Sequence, residues 1–215
     1  MRSFSLLLLL LGWASLHAAD PPAKKPEAKK PPAKKLFDGK TLNGWRVLNK
    51  QDFEDHGKVA VQQGEIVLPS GSPATGIAWK GEFPRTNYEI LFEARRRQGS
   101  DFFCGLTFPV DKSYCTLIVG GWGGGVVGLS NVDNFSASEN DTTSYLGFAK
   151  NKWSKIRIRV SKDKVQAWVD KEQIADLKKS EHKFSIWWEQ EPARPFGVAT
   201  WNTEGGLRNI QLKTW

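Results

Sequence analysis

From Tyr88 to Val169 the chain repeatedly alternates apolar and polar residues with a period of two, the mark of strands that bury one face. Tyr88, Ile90, Phe92 and Ala94 oppose Glu89, Leu91, Glu93 and Arg95. Phe102, Cys104, Leu106 and Phe108 then oppose Asp101, Phe103, Gly105 and Thr107, Pro109 to Ser113 supplies turn residues, and Cys115, Leu117 and Val119 oppose Tyr114, Thr116 and Ile118. This predicts a hairpin. Further on, Ile156, Ile158 and Val160 oppose Lys155, Arg157 and Arg159, and Val165, Ala167 and Val169 oppose Gln166, Trp168 and Asp170. The basic residues of this second ribbon are expected on a solvated outer face. Earlier, Lys58 to Leu68 reads as a hairpin about Gln63-Gly64, and Gly76 to Lys80 as a short strand. No stretch shows the helical period. Many short strands with turns between them predict an all-β jelly-roll β-sandwich of two antiparallel sheets.

One interruption in this pattern carries chemical interest. Gly120-Gly121-Trp122-Gly123-Gly124-Gly125 strips side chains from around one large aromatic, leaving backbone that bends sharply or lets a ligand come close. Trp122 then either stacks on a sugar ring in a shallow cleft or packs in a second layer of a kinked sheet.

The N-terminus departs from the strand pattern altogether. Met1-Arg2-Ser3, the apolar run Phe4 to Leu11 and the small residues around Leu16 to Ala19 read as a secretory signal peptide over residues 1–19. The run is short of the about 20 residues a membrane span needs. Residues 20–35, DPPAKKPEAKKPPAKK, repeat a Pro-x-Ala-Lys-Lys unit with nothing to bury, and are expected to be a disordered linker. The folded domain is therefore placed at 36–215, in a protein destined for the periplasm or the medium.

Composition changes this picture little. The net charge of +8 suggests nucleic acid until it is located: residues 1–35 hold Arg2 and six lysines against Asp20 and Glu27, so the folded part is only mildly basic. With no basic stripe expected there, no nucleic-acid partner is expected. Ten Trp, twelve Phe and three Tyr are a heavy aromatic load, of a kind common at saccharide sites.

Four segments, in order, resemble the 3-keto-disaccharide hydrolase domain family, secreted bacterial β-sandwich proteins of the concanavalin A type. They are the opening LFDGKTLNGW (36–45), NYEILFEARR (87–96), KWSKIRIRVSKDKVQAWVDKEQIAD (152–176) and the closing FGVATWNTEGGLRNIQL (196–212). The likeness spans Leu36 to Trp215. It departs in the centre, where Cys-Thr-Leu-Ile-Val-Gly-Gly-Trp stands in place of an acidic Tyr-Glu type strand. What the resemblance implies is a hydrolase or lyase acting on glycosides already oxidised to a ketone at the third sugar carbon. A base removes the proton beside the ketone and an acid protonates the departing oxygen. Asp101 and Glu93 are the expected base and acid, with Arg95 or Asn131 stabilising the enolate.

The residues themselves allow this constellation and others. If Phe92, Ala94, Phe102 and Cys104 face the core, then Glu93, Arg95, Asp101 and Thr107 share the opposite face with Tyr114, Thr116 and Trp122, and together are expected to bind an oligosaccharide. The alternative is a surface ion pair between Glu93 and Arg95, with Asp101 capping a turn. Asn131, Asp133, Glu139, Asn140 and Asp141 form a polar loop that either borders the cleft or lies in solvent. No cofactor is expected, with calcium through loop oxygens as the one cation considered. Cys104 and Cys115 are either disulfide-bonded or two core thiols. His56 and His182 lie in polar loops. Of Trp187, Trp188 and Trp201, with Glu189 and Glu191 beside them, two are expected in the core and one facing the cleft. A noncatalytic, lectin-like carbohydrate-binding module and a stalk-borne envelope scaffold are the rival readings.

Overall fold

The computed structural model describes residues 33–215. The expected signal peptide, and the expected linker as far as residue 32, lie outside the described residues. Fifteen strands form among the described residues: β1 (Lys34–Lys35), β2 (Trp45–Val47), β3 (Ala60–Gln62), β4 (Glu65–Leu68), β5 (Ala74–Trp79), β6 (Tyr88–Gly99), β7 (Cys104–Val110), β8 (Ser113–Gly121), β9 (Val126–Ser130), β10 (Ser144–Tyr145), β11 (Ser154–Val160), β12 (Lys164–Val169), β13 (Glu172–Lys178), β14 (Gly197–Trp201) and β15 (Thr203–Thr214). Short 3-10 turns at Gln51–Phe53 and Trp188–Ala193 are the helical elements among these residues.

The strands build two antiparallel sheets. One runs β13-β12-β11-β6-β15-β4-β3 with β1 added beside β15; the other runs β10-β9-β8-β7-β14-β5-β2. Among the described residues, pairing begins at Lys34, ahead of the expected domain start at Leu36, because Lys34 and Lys35 use backbone groups against Leu212 and Gln211. The two inner faces supply one continuous core in which Tyr88, Ile90 and Phe92 of β6 and Ile156 and Ile158 of β11 meet Leu106 and Phe108 of β7 and Leu117 of β8. The chain opening is stapled to this core: the Trp45 indole donates to the Leu36 carbonyl at 2.8 Å and lies edge-on to Trp79.

Two details of the hairpin differ from the simple alternation. The connection is the two residues Asp111 and Lys112, because Pro109 and Val110 still pair with Tyr114 and Ser113. Proline is tolerated there since β14 pairs with β7 only at Gly105 to Thr107, so no neighbour asks Pro109 for an N–H. At the other end Phe103, 1% exposed, takes the core position expected of Phe102. Asp101 to Phe103 lie outside the ladder, and Asp101 Oδ1 accepts the Phe102 N–H at 2.7 Å, which turns the Phe102 ring to the opposite side.

The disulfide does not form. Cys104 sits opposite Val119 and Cys115 opposite Phe108, four ladder positions apart. At about 3.3 Å per residue that is roughly 13 Å, beyond the about 7 Å that a disulfide tolerates between Cα atoms. Both are buried thiols. Burial pushes both acidities down, with the Cys115 pKa raised to about 12. Native protein should therefore resist a thiol-directed reagent at pH 8, whereas unfolding in denaturant without reductant should release two reactive thiols per chain. Mass spectrometry after alkylation reads both, and a product lacking the two adducts would contradict the register.

Candidate functional site

The outer face of the seven-stranded sheet is half covered and half open. Over β5 and β14, Leu48, Phe53 and Ala193 pack on Ala74, Ala78 and Ala199 and close it. Over β8 and β9 the outward positions Thr116, Ile118 and Ser130 form the floor of an open cleft of about 370 Å³. That size lies within the roughly 300–1,000 Å³ usual for small-molecule sites.

Its walls come from connections. Trp122 projects from the glycine turn between β8 and β9, Asp101 and Phe102 from the β6–β7 crossing, Trp201 from the end of β14, and Trp187, Glu189 and Gln190 from the segment before β14. Phe102 and Trp201 lean on one another with ring centres 6.0 Å apart. Trp122 and Trp187 stay 51% and 47% exposed. Gln190 is 5% exposed, yet its Oε1 and the Oε2 of Glu189 lie shut from solvent with no hydrogen-bond partner among the described residues.

Arg96, near the end of β6, holds the rim together. Its Nη2 donates to the carbonyls of Asp101 (3.3 Å), Gly120 (3.1 Å) and Gly124 (2.7 Å), while the guanidinium lies over the Phe103 and Phe148 rings. Burial lowers its pKa and the nearby Asp101 carboxylate opposes that shift. The glycines make room for it. A Cβ on Gly120 would lie 2.5 Å from Arg96 Nη2, and Gly120 and Gly124 both adopt positive φ, 80° and 107°.

The structure brings Asp101, Trp122 and Thr116 to one cleft and separates the rest. Glu93 and Arg95 point outward from β6 on the other sheet. Glu93 accepts from Arg208 and Asn209, each at 2.7 Å, and this pairing outweighs desolvation to hold its carboxyl below the usual range. Arg95 pairs with the buried Glu65 and stacks on Trp153. The expected Glu93–Asp101 pair therefore does not exist: β6 ends at Gly99 and the chain changes sheets before Asp101. Tyr114 meets Arg85 instead, accepting from its Nη1 at 2.9 Å. Thr107 is buried against Thr116.

The polar loop positions the cleft without lining it. Asn131 exchanges backbone hydrogen bonds with Ser185, and Asp133 accepts the Lys183 N–H and meets His182 Nδ1, each at 2.7 Å. These contacts, His182 first, lower the Asp133 pKa. They tether the segment that leads to Trp187. Asn140 is consumed internally, donating to three carbonyls, and Glu139 accepts from Ser136 beside a separate small cavity. Among the described residues no group of three or more His, Cys, Asp or Glu is arranged to hold a metal.

None of Trp187, Trp188 and Trp201 is a core residue, which corrects the expectation of two; Trp187 and Trp201 line the cleft and Trp188 is 57% exposed. Sequence reasoning missed Arg96, Gln190 and the role of Glu189. The last two lie in the aperiodic run Trp187 to Arg194, whose only outward signal is the Trp-Trp-Glu cluster.

The chain belongs to the family described as 3-keto-alpha-glucoside-1,2-lyase-like domains, whose sequence profile matches residues 32–213. No curated protein matches its sequence. Among solved structures it resembles a putative glycosyl hydrolase from Parabacteroides distasonis (TM-score 0.51, 13% identity, 84% of this chain and 92% of that one). It also resembles the carbohydrate-binding module CBM66 from Bacillus subtilis (0.51, 14%, 80% and 96%). A third likeness is domain 4 of AbnA, an arabinanase from Geobacillus stearothermophilus solved with arabinotriose (0.51, 11%, 79% and 82%). At these identities the likeness is one of fold.

Replacing Arg96 by Gln should orphan three carbonyls, destabilise the domain by about 2 kcal/mol in urea unfolding and speed amide exchange selectively at Gly120 to Gly125. Unchanged exchange in that turn would show that the glycine run holds itself.

Proposed function

We propose that the cleft is the active site of an exported 3-keto-glycoside lyase, with Asp101 and Glu189 as its acid–base pair. The observation that carries this reading is that both carboxylates line one hollow walled by Trp122, Trp187 and Trp201 over a floor bearing Thr116 and Ser130. Indole faces suit the apolar faces of a pyranose ring, and the polar floor suits its hydroxyls. Membership of the lyase-like family supports the reaction class.

The chemistry follows from the ketone at the third carbon, which acidifies the C–H at the second. Asp101, oriented through its Oδ1 by the Phe102 amide, takes that proton. The C–H electron pair becomes the C1–C2 double bond, the C1–O bond breaks, and Glu189 gives the departing oxygen its proton. Enolate charge develops on the ketone oxygen, for which the Gln190 side-chain amide is a neutral donor lining the cleft. Water added across the resulting enone completes a net hydrolysis. Glu189 thus takes the place first given to Glu93.

Purified protein should convert a 3-keto-disaccharide to an enone, followed by its ultraviolet absorbance, and leave the unoxidised disaccharide intact. Asp101→Asn should lower turnover roughly 10²–10⁴-fold with binding retained. Trp122→Ala should weaken binding about tenfold, and Glu93→Gln should change neither. Saccharide binding without turnover of any 3-keto-glycoside would replace the lyase by a noncatalytic binding module. Full turnover in Asp101→Asn would remove the base assignment.

A further inference from the structure

The outer face of the eight-stranded sheet carries a charge imbalance that the cleft does not use. Its carboxylates are committed: Glu93 to Arg208 at 2.7 Å, Glu89 to Lys213 at 3.6 Å, Asp176 to Lys164 at 3.0 Å and Glu65 to Arg95 and Arg97. Three cations in a row on β11 make no such contact, although Lys155 stands opposite Glu93 and Arg159 opposite Glu89 in the ladder with β6. Lys155, Arg157 and Arg159 point outward at alternate positions, about 6.6 Å apart, and none has a carboxylate in ion-pair contact among the described residues.

Two of the three lie against aromatic rings. The Arg157 guanidinium carbon is 3.7 Å from the centre of the Trp168 ring, and that of Arg159 is 4.8 Å from the centre of the Trp215 ring. Stacking occupies the face of a guanidinium and leaves its N–H edges in the plane, which is the geometry that meets a carboxylate or a sulfate with two parallel hydrogen bonds.

We propose that this row is a second ligand surface, which binds an anionic polysaccharide through its carboxylate or sulfate groups. A line of three cations fits one extended, regularly charged chain. It is short of the about six to ten phosphate contacts by which duplex-binding proteins gain their affinity. Lys34 and Lys35 join the same sheet on β1, with β15 and β6 between them and β11, so the row does not depend on them. The surface lies on the opposite sheet from the cleft, and the inference stands independently of the lyase reading.

The test is retention of the purified chain on immobilised heparin (sulfate) and on polygalacturonate (carboxylate), with neutral dextran as control. The expected result is binding to one or both anionic polymers and none to dextran, released by salt as surface charges are screened. The Arg157→Gln, Arg159→Gln double variant should bind at least about tenfold more weakly, with an unchanged melting temperature. Lysine at both positions keeps the charge without the fork and should fall between. Trp122→Ala, whose change lies in the cleft, should bind these polymers as the parent does. Equal binding by the glutamine double variant, equal retention on dextran, or tighter binding to a single-stranded oligonucleotide than to either polysaccharide would overturn the proposal.

Discussion

A single guanidinium decides the shape of the cleft rim. Arg96 leaves the inner row of β6 where the sandwich core ends, and its Nη2 donates to three backbone carbonyls, while its Nε is buried with no hydrogen-bond partner among the described residues. Those carbonyls lie on the β6–β7 connection and at the end of β8 with its glycine turn, which carry the cleft-lining Asp101 and Trp122. Holding both from one point fixes the carboxylate relative to the indole without using either side chain. Gly120 and Gly124 follow from this constraint, because a Cβ at either meets the Arg96 guanidinium.

That dependence explains what the sequence could and could not reveal. The fold was legible because period-two alternation is a local property: Tyr88 to Ala94, Cys115 to Val119 and Ile156 to Val160 bury the faces their spacing announces. The glycine run around Trp122 was legible as a place where the backbone bends or something comes close. The identity of the approaching group was not. Arg96 sits in a run of three arginines, Arg95, Arg96 and Arg97, that differ chemically only in where the strand points them.

The acid pair shows the complementary limit. Alternation assigns residues to faces within one strand, and it placed Glu93 and Asp101 together by carrying its phase across Gly99 and Ser100. The chain changes sheets there, so the phase is lost and the two carboxylates end on different layers, as the shift from Phe102 to Phe103 also records. Glu189 reaches the cleft from almost ninety residues away along an aperiodic segment, anchored by Asn131 and Asp133. Its position depends on long-range backbone pairing, for which the sequence carries no period.

The tryptophans give the strongest physical reason to regard the hollow as a site rather than a packing remnant. A large aromatic buries about 150–250 Å² when enclosed. Leaving half of that in water forgoes about 2–3 kcal/mol per residue at roughly 25 cal/mol per Å². A lone exposed aromatic is common on protein surfaces and means little. Here Trp122 and Trp187 both stand half exposed on one cleft, beside Trp201 and Phe102, while the neighbouring half of the same sheet is efficiently closed by Leu48 and Phe53. The fold thus has the means to cover this face and does so only up to the edge of the cleft. The apolar area left open is available to a ligand with flat apolar faces.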